Sequence, residues 1–132
     1  MNALYGNAKT LLWTAGTNWT SANLKAVLVT AAYVPNLATD QFLNVISGGD
    51  IVSSGVALTG KSINLGALSA NPVVFSGVAV SAQVAMLVIY IDTGSSSTSP
   101  LVALINVATG LILTATGGNI TCTFFGNVVF QQ

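Results

Sequence analysis

The octapeptide Gly55-Val56-Ala57-Leu58-Thr59-Gly60-Lys61-Ser62 satisfies the phosphate-cradle pattern G-x-x-x-x-G-K-[ST] at every position. In a nucleotide-binding protein that pattern joins a buried parallel strand to a helix, whose first N–H groups and a lysine surround the phosphates. The apolar run 84–91, which stops at Asp92, even has the form of the strand that carries a magnesium-binding carboxylate. The surroundings argue the other way. Lys61-Ser62 leads into Ile63-Asn64-Leu65-Gly66, which alternates like a strand, and Gly66 and Pro72 leave no room for a good helix. The upstream Ile51-Val52-Ser53-Ser54 is short and half polar, and the chain lacks the repeated helices that cover a parallel sheet. A P-loop nucleotide-binding protein is therefore the minor expectation, and no cofactor is expected.

Other chemistry has few candidates. The titratable set is three Lys (Lys9, Lys25, Lys61) and three Asp (Asp40, Asp50, Asp92), with no Arg, Glu or His. General acid–base work would fall to those groups and the tyrosines. The three Asp are far apart in sequence, each beside a turn or helix-start signal where capping and solvation account for it. Their spacing suggests no metal site. The single Cys122 excludes an intrachain disulfide and alternates onto the apolar side of its segment with Ile120 and Phe124, so it reads as a small buried hydrophobe. Three lysines and zero net charge do not make the basic surface that nucleic acid requires. Asn18-Trp19-Thr20 and Asn119-Ile120-Thr121 match the glycosylation pattern, but no secretory leader is recognisable, and both are expected to be coincidental. The expectation is a protein that is not an enzyme.

The elements that must position these residues are mostly strands. Two apolar, β-branched runs, 86–91 and 101–105, flank the turn formers Asp92-Thr93-Gly94 and a Ser-rich stretch ending at Pro100. Neither has a polar face, which predicts strands in the middle of a packed sheet. Leu24-Lys25-Ala26-Val27-Leu28-Val29-Thr30 reads as a further long strand, and short pieces near 51–53, 56–58, 62–65, 73–75, 84–91, 111–114, 120–124 and 128–130 follow at close spacing. That spacing predicts an all-β sandwich or barrel. Two helical features are expected: residues 3–15, with Leu4, Ala8, Leu11, Leu12 and Ala15 on one side, and one or two turns over 40–46 with Thr39 as N-cap. Tyr5, Lys9 and Trp13 stand four apart on a neighbouring face of the first. Together with Trp19, the aromatics Tyr5 and Trp13 are the candidate protein-contact residues, with the covering of the domain's own core as the alternative. The domain division expected is 1–20 as an N-terminal helix or extension and 21–132 as a single β-sandwich.

Composition bounds the setting. The chain is 52% apolar and 5% charged, with formal net charge zero and mean hydropathy +0.77. A neutral domain of this kind has poor solubility as a free monomer, so its surface is expected to be covered in an oligomer or a larger assembly. The longest apolar run has eight residues, short of the roughly 18 to 20 needed to span a bilayer. Without aromatic girdles on alternating strands a membrane barrel is not expected either.

The order of segments resembles a family of small virion proteins of tailed bacteriophages, the head decoration or cement proteins. The stretches that carry the likeness are Asn18-Trp19 with Leu24-Lys25-Ala26-Val27-Leu28-Val29, Tyr33-Val34-Pro35-Asn36-Leu37-Ala38-Thr39, Gln41-Phe42-Leu43 and Ala57-Leu58-Thr59-Gly60-Lys61. It continues through Leu87-Val88-Ile89-Tyr90-Ile91-Asp92-Thr93-Gly94, Ser99-Pro100-Leu101-Val102-Ala103 and Gly117-Gly118-Asn119-Ile120-Thr121. The resemblance implies a jelly-roll-like β-sandwich with an N-terminal extension, grouped as a homotrimer on the major capsid protein at the virion surface. It also implies that Leu58-Thr59-Gly60-Lys61 is an ordinary strand connection. Two departures stand out: Leu68-Ser69-Ala70-Asn71-Pro72 lies where the family carries acidic residues, and Phe124-Phe125-Gly126-Asn127 where it has a Trp. A tail or fibre component contacting the host surface is the structural alternative.

Overall fold

The computed structural model describes residues 3–6, 8, 10, 18–53, 55–64, 67–80, 83–105, 113–114, 117–122 and 128–131. Its centre is the antiparallel pair β8 (Met86–Ile91) and β9 (Leu101–Ile105). All of β9 and all of β8 except Ile91 are buried, so both faces of the sheet are covered here, as the unbroken apolar runs require. Each large aliphatic side chain taken out of water at this position contributes about 1.5–3 kcal/mol. On its other edge β8 pairs with β2 (Leu24–Val29) without interruption, from Leu24 opposite Ile91 to Val29 opposite Met86. Two-residue strands close the sheet: β1 (Ala3–Leu4) on β9 and β3 (Val56–Ala57) on β2. The order is β1-β9-β8-β2-β3, antiparallel throughout.

Three smaller antiparallel sheets accompany it among the described residues. β6 (Val73–Phe75) pairs with β11 (Ile120–Cys122), and β7 (Gln83–Val84) with β10 (Leu113–Thr114). β5 (Ala67–Ser69) lies between β4 (Ser62–Asn64) and β12 (Val128–Gln131). The β6–β11 ladder shows the period-two pattern of a one-sided sheet: Val73, Phe75, Ile120 and Cys122 point inward, Val74 and Thr121 outward. Those inward residues join β2, β8 and β9 in one buried cluster, which also takes in Leu4, Tyr5, Ala8 and Trp19. The protein is therefore all-β, with antiparallel sheets and almost no helix among the described residues.

Several local expectations change. Ala3 and Leu4, expected as the start of a helix, are a strand, because their backbone pairs with the free edge of β9. Tyr5 is neither strand nor helix, Gly6, Ala8 and Thr10 have helical backbone, and the other positions of the expected helix, Trp13 included, lie outside the described residues. The turns expected over 40–46 reduce to one 3-10 turn, Leu43–Val45, preceded by Phe42 and not capped by Thr39. The Leu43 and Asn44 amides donate instead to Ser99 O (2.9 Å) and Ser96 O (3.1 Å) across the fold. A second 3-10 turn occupies Gly48–Asp50. The run 84–91 is split at Ala85, where the chain passes from the β7–β10 ladder to the central sheet.

The β8–β9 connection is built by its own side chains. Gly94, at φ 91°, takes a turn conformation that only glycine enters freely. Its N–H donates to Asp92 Oδ1 at 3.0 Å. Buried Ser99 accepts from Thr93 N–H at 3.1 Å and donates to Ser95 O at 2.7 Å. A register shift follows at Ile89/Tyr90, which leaves Val102 as the extra residue of β9, and its carbonyl accepts the Tyr5 N–H at 3.0 Å.

Candidate interaction surface

The groups that could do chemistry are mostly engaged within the chain. Lys25, on β2, reaches Asp92 at the end of β8, with Nζ 2.6 Å from Oδ2 and about a quarter to a third of each side chain exposed. The hydrogen bond to Asp92 raises the Lys25 pKa, and the bond from Lys25, helped by the Gly94 N–H, lowers that of Asp92. Both groups are thus held in their charged, mutually neutralised forms. Asp40 Oδ2 accepts from Tyr33 Oη at 2.8 Å and from the Asn36 N–H at 2.9 Å. Lys61 Nζ donates to the Ala22 carbonyl. Burial pushes the Cys122 thiol up to about 11, so at neutral pH it is a protonated core side chain. Among the described residues no three His, Cys, Asp or Glu side chains come together as a metal set.

The phosphate-cradle motif folds as two strands and a turn. Val56 and Ala57 form β3 at the edge of the central sheet, and Ser62 opens β4 where a nucleotide site needs the first turn of a helix. Gly60 takes φ 60° with the Asn71 side chain packed where a Cβ would project. Gly55 sits against the Tyr90 hydroxyl. The glycines thus serve close packing.

Of the three aromatics singled out from sequence, two are placed inside the protein. Tyr5 is fully buried, with its hydroxyl 2.9 Å from that of Tyr33, and burial raises its pKa to about 12. Tyr33 is displaced upward as well, first by burial and then by its bonds to Tyr5 and Asp40. Trp19 is buried too, and its Nε1 donates to Ser69 O at 3.0 Å. The structure does not bring Tyr5 and Trp19 to a shared surface: each covers the chain's own core. Trp13 lies outside the described residues.

What is exposed and apolar lies elsewhere. At the end of the central sheet where β8 stops, the Ser-rich loop meets the 3-10 turn through the Leu43 and Asn44 amides, the Leu101 N–H to Gln41 O bond (2.9 Å) and the Phe42–Pro100 bridge. This joint presents Val45, 45% exposed, beside the exposed hydroxyls of residues 95–98. Val34, in the loop that precedes this turn, is 82% exposed in front of Pro35. A separate depression of about 390 Å³ opens between β3 and β6, lined by Ser53, Val56, Val74, Phe75 and Ser76. Such surfaces can bury apolar area and exchange neutral hydrogen bonds. Val34 and Val45 went unmarked in the sequence because short apolar residues in turns look like core, and only the fold shows which way they face. No protein-family model matches the sequence, and no curated protein matches it.

Proposed function

We propose that the chain is a non-enzymatic structural protein of a bacteriophage virion, which binds the outside of the assembled capsid and reinforces it. The reading rests on the segment order, which resembles head decoration proteins, and on the chemistry of the surface. The observation that carries it is the contrast between engaged charges and free apolar groups. Lys25, Asp92, Asp40 and Lys61 are tied up within the chain, while Val34 and Val45 face solvent. A surface of that kind stabilises an assembly by being covered in it. Its partner is the major capsid protein, its grouping a homotrimer, and its location the capsid surface. In the same reading the fold is a jelly-roll-like sandwich, with the five-stranded sheet as one layer and the smaller ladders contributing to the other.

The test mixes the purified chain with capsids of the phage that encodes it, followed by sedimentation and cryo-EM. Bound density on the head, and loss of binding in Val45→Asp or Val34→Asp variants that keep the wild-type melting temperature, is the expected result. Density on the tail would make the chain a tail component, and absence of the chain from particles would end the proposal.

A further inference from the structure

The N-terminal residues are tied to the fold by a hydrogen-bonded chain that runs from the core to the surface. Ala3 and Leu4 pair with Leu104 and Ala103, the Tyr5 N–H donates to Val102 O at 3.0 Å, and the Gly6 N–H donates to Leu37 O at 2.6 Å. Inside, the Tyr5 hydroxyl lies 2.9 Å from that of Tyr33, which lies 2.8 Å from Asp40 Oδ2. An ionised carboxylate only accepts, so the Tyr33 proton points at Asp40 and the Tyr33 oxygen is left to accept from Tyr5. The direction of the whole chain is fixed by its outer end. Asp40 keeps some exposure, and its Oδ2 also takes the Asn36 N–H at 2.9 Å. One carboxylate in reach of water thus orders the turn over 33–40 and, through Tyr33, the buried end of the N-terminal strap.

We propose that Asp40 is the latch of this strap: neutralising it loosens residues 4–6 locally, before β2, β8 or β9 open, and so uncovers the backbone edge of β9 at Ala103 and Leu104. The strap is the part of the sheet suited to this. Its ladder is two residues long, and short edge elements populate the low-stability end of local opening. An uncovered strand edge is a template for pairing with another chain, so the latch governs whether the sheet ends at β1 or offers β9. The inference is independent of the capsid reading, since it concerns a hydrogen-bond chain within one molecule.

Amide exchange on the full chain tests it. Asp40→Asn keeps an acceptor for Tyr33 and removes the charge, and Tyr5→Phe keeps the ring and removes the inner hydroxyl. In each variant the Tyr5 and Gly6 amides should exchange about tenfold faster or more, the effect of losing a buried or charge-assisted hydrogen bond. The amides of Val27, Val88 and Ile89 should be unchanged. Tyr5→Phe added to Asp40→Asn should change little further, because both break one chain. Equal acceleration at all amides, or no acceleration at Tyr5 and Gly6, overturns the proposal. Should Asp40→Asn fail to fold, Tyr5→Phe decides by the same criterion.

Discussion

Gly55→Ala isolates the contact that most distinguishes this chain's use of its glycine-rich motif. The Gly55 backbone is outside the left-handed region, so alanine meets no conformational penalty there. The obstacle is steric. A Cβ at this position would overlap Tyr90 Oη and lie 3.3 Å from Tyr90 Cζ and 3.4 Å from Lys25 Cδ. Tyr90 is buried, so its ring has little room to swing away. Overpacking of this kind costs about 1–3 kcal/mol. The smaller unfolded-state entropy of alanine offsets about 0.4–1 kcal/mol of that. The expected net loss is about 1–2 kcal/mol, read as a lower urea midpoint at constant m-value.

The control is Tyr90→Phe, which deletes the offending oxygen and leaves the tighter remaining contact at 3.3 Å. In that background Gly55→Ala should cost no more than about 0.5 kcal/mol, the scale of an ordinary tolerated substitution. Equal losses in the two backgrounds would refute the steric account and mean that Gly55 is needed for something other than room for Tyr90.

Further outcomes follow from the same geometry. Tyr5 keeps its proton in the folded state to about pH 12, whereas in the unfolded chain it ionises near 10. Between those values the unfolded state has released a proton that the native state retains. Stability should therefore fall as pH rises from 10 to 12, by up to roughly 3 kcal/mol, and Tyr5→Phe should flatten that slope in alkaline melts. Lys61→Ala should cost about 1 kcal/mol in urea melts, because the lysine donates to the Ala22 carbonyl, and should leave the protein's behaviour toward ATP unchanged. Binding to capsids should persist in 1 M sodium chloride and fail in moderate urea, since screening weakens charge pairs and urea solvates apolar surface. Stepwise release with salt in a sedimentation series would contradict an apolar contact.

The parts of the fold legible in the sequence are those specified by local pattern. β8 and β9 announce themselves as continuous apolar runs and β2 as one broken only by Lys25, and Asp92-Thr93-Gly94 announces the turn between β8 and β9. What stayed hidden depends on partners distant in sequence. The four-residue spacing of Tyr5, Lys9 and Trp13 fits a contact stripe and a cover for the core equally well, and what draws Tyr5 inward is Tyr33, 28 residues away. Trp19 likewise finds its acceptor at Ser69, 50 residues on. The piece over 40–46 has helical residues but loses its first amides to the Ser96 and Ser99 carbonyls, and one 3-10 turn remains. β5 (Ala67–Ser69) had no signal at all, because a small-residue segment becomes a strand only when β4 and β12 flank it.

A chain with so few charges spends them on joints. Lys25 and Asp92 link β2 to the end of β8, the Asp92 N–H and carbonyl bond to Asn23, and Lys61 bonds to Ala22, all at one end of the central sheet. Partly exposed pairs of this kind add little stability in water, so their main effect is on position. They fix where the β8–β9 loop begins, and with it the placement of the hydroxyls of residues 95–98 against Val45. The consequence for recognition is selective. A partner that set a charge against this uncharged patch would desolvate it with no counter-ion available, whereas a neutral apolar partner incurs no such cost. With Lys25 and Asp92 paired to each other and Lys61 and Asp40 hydrogen-bonded within the chain, apolar fit governs what the patch accepts.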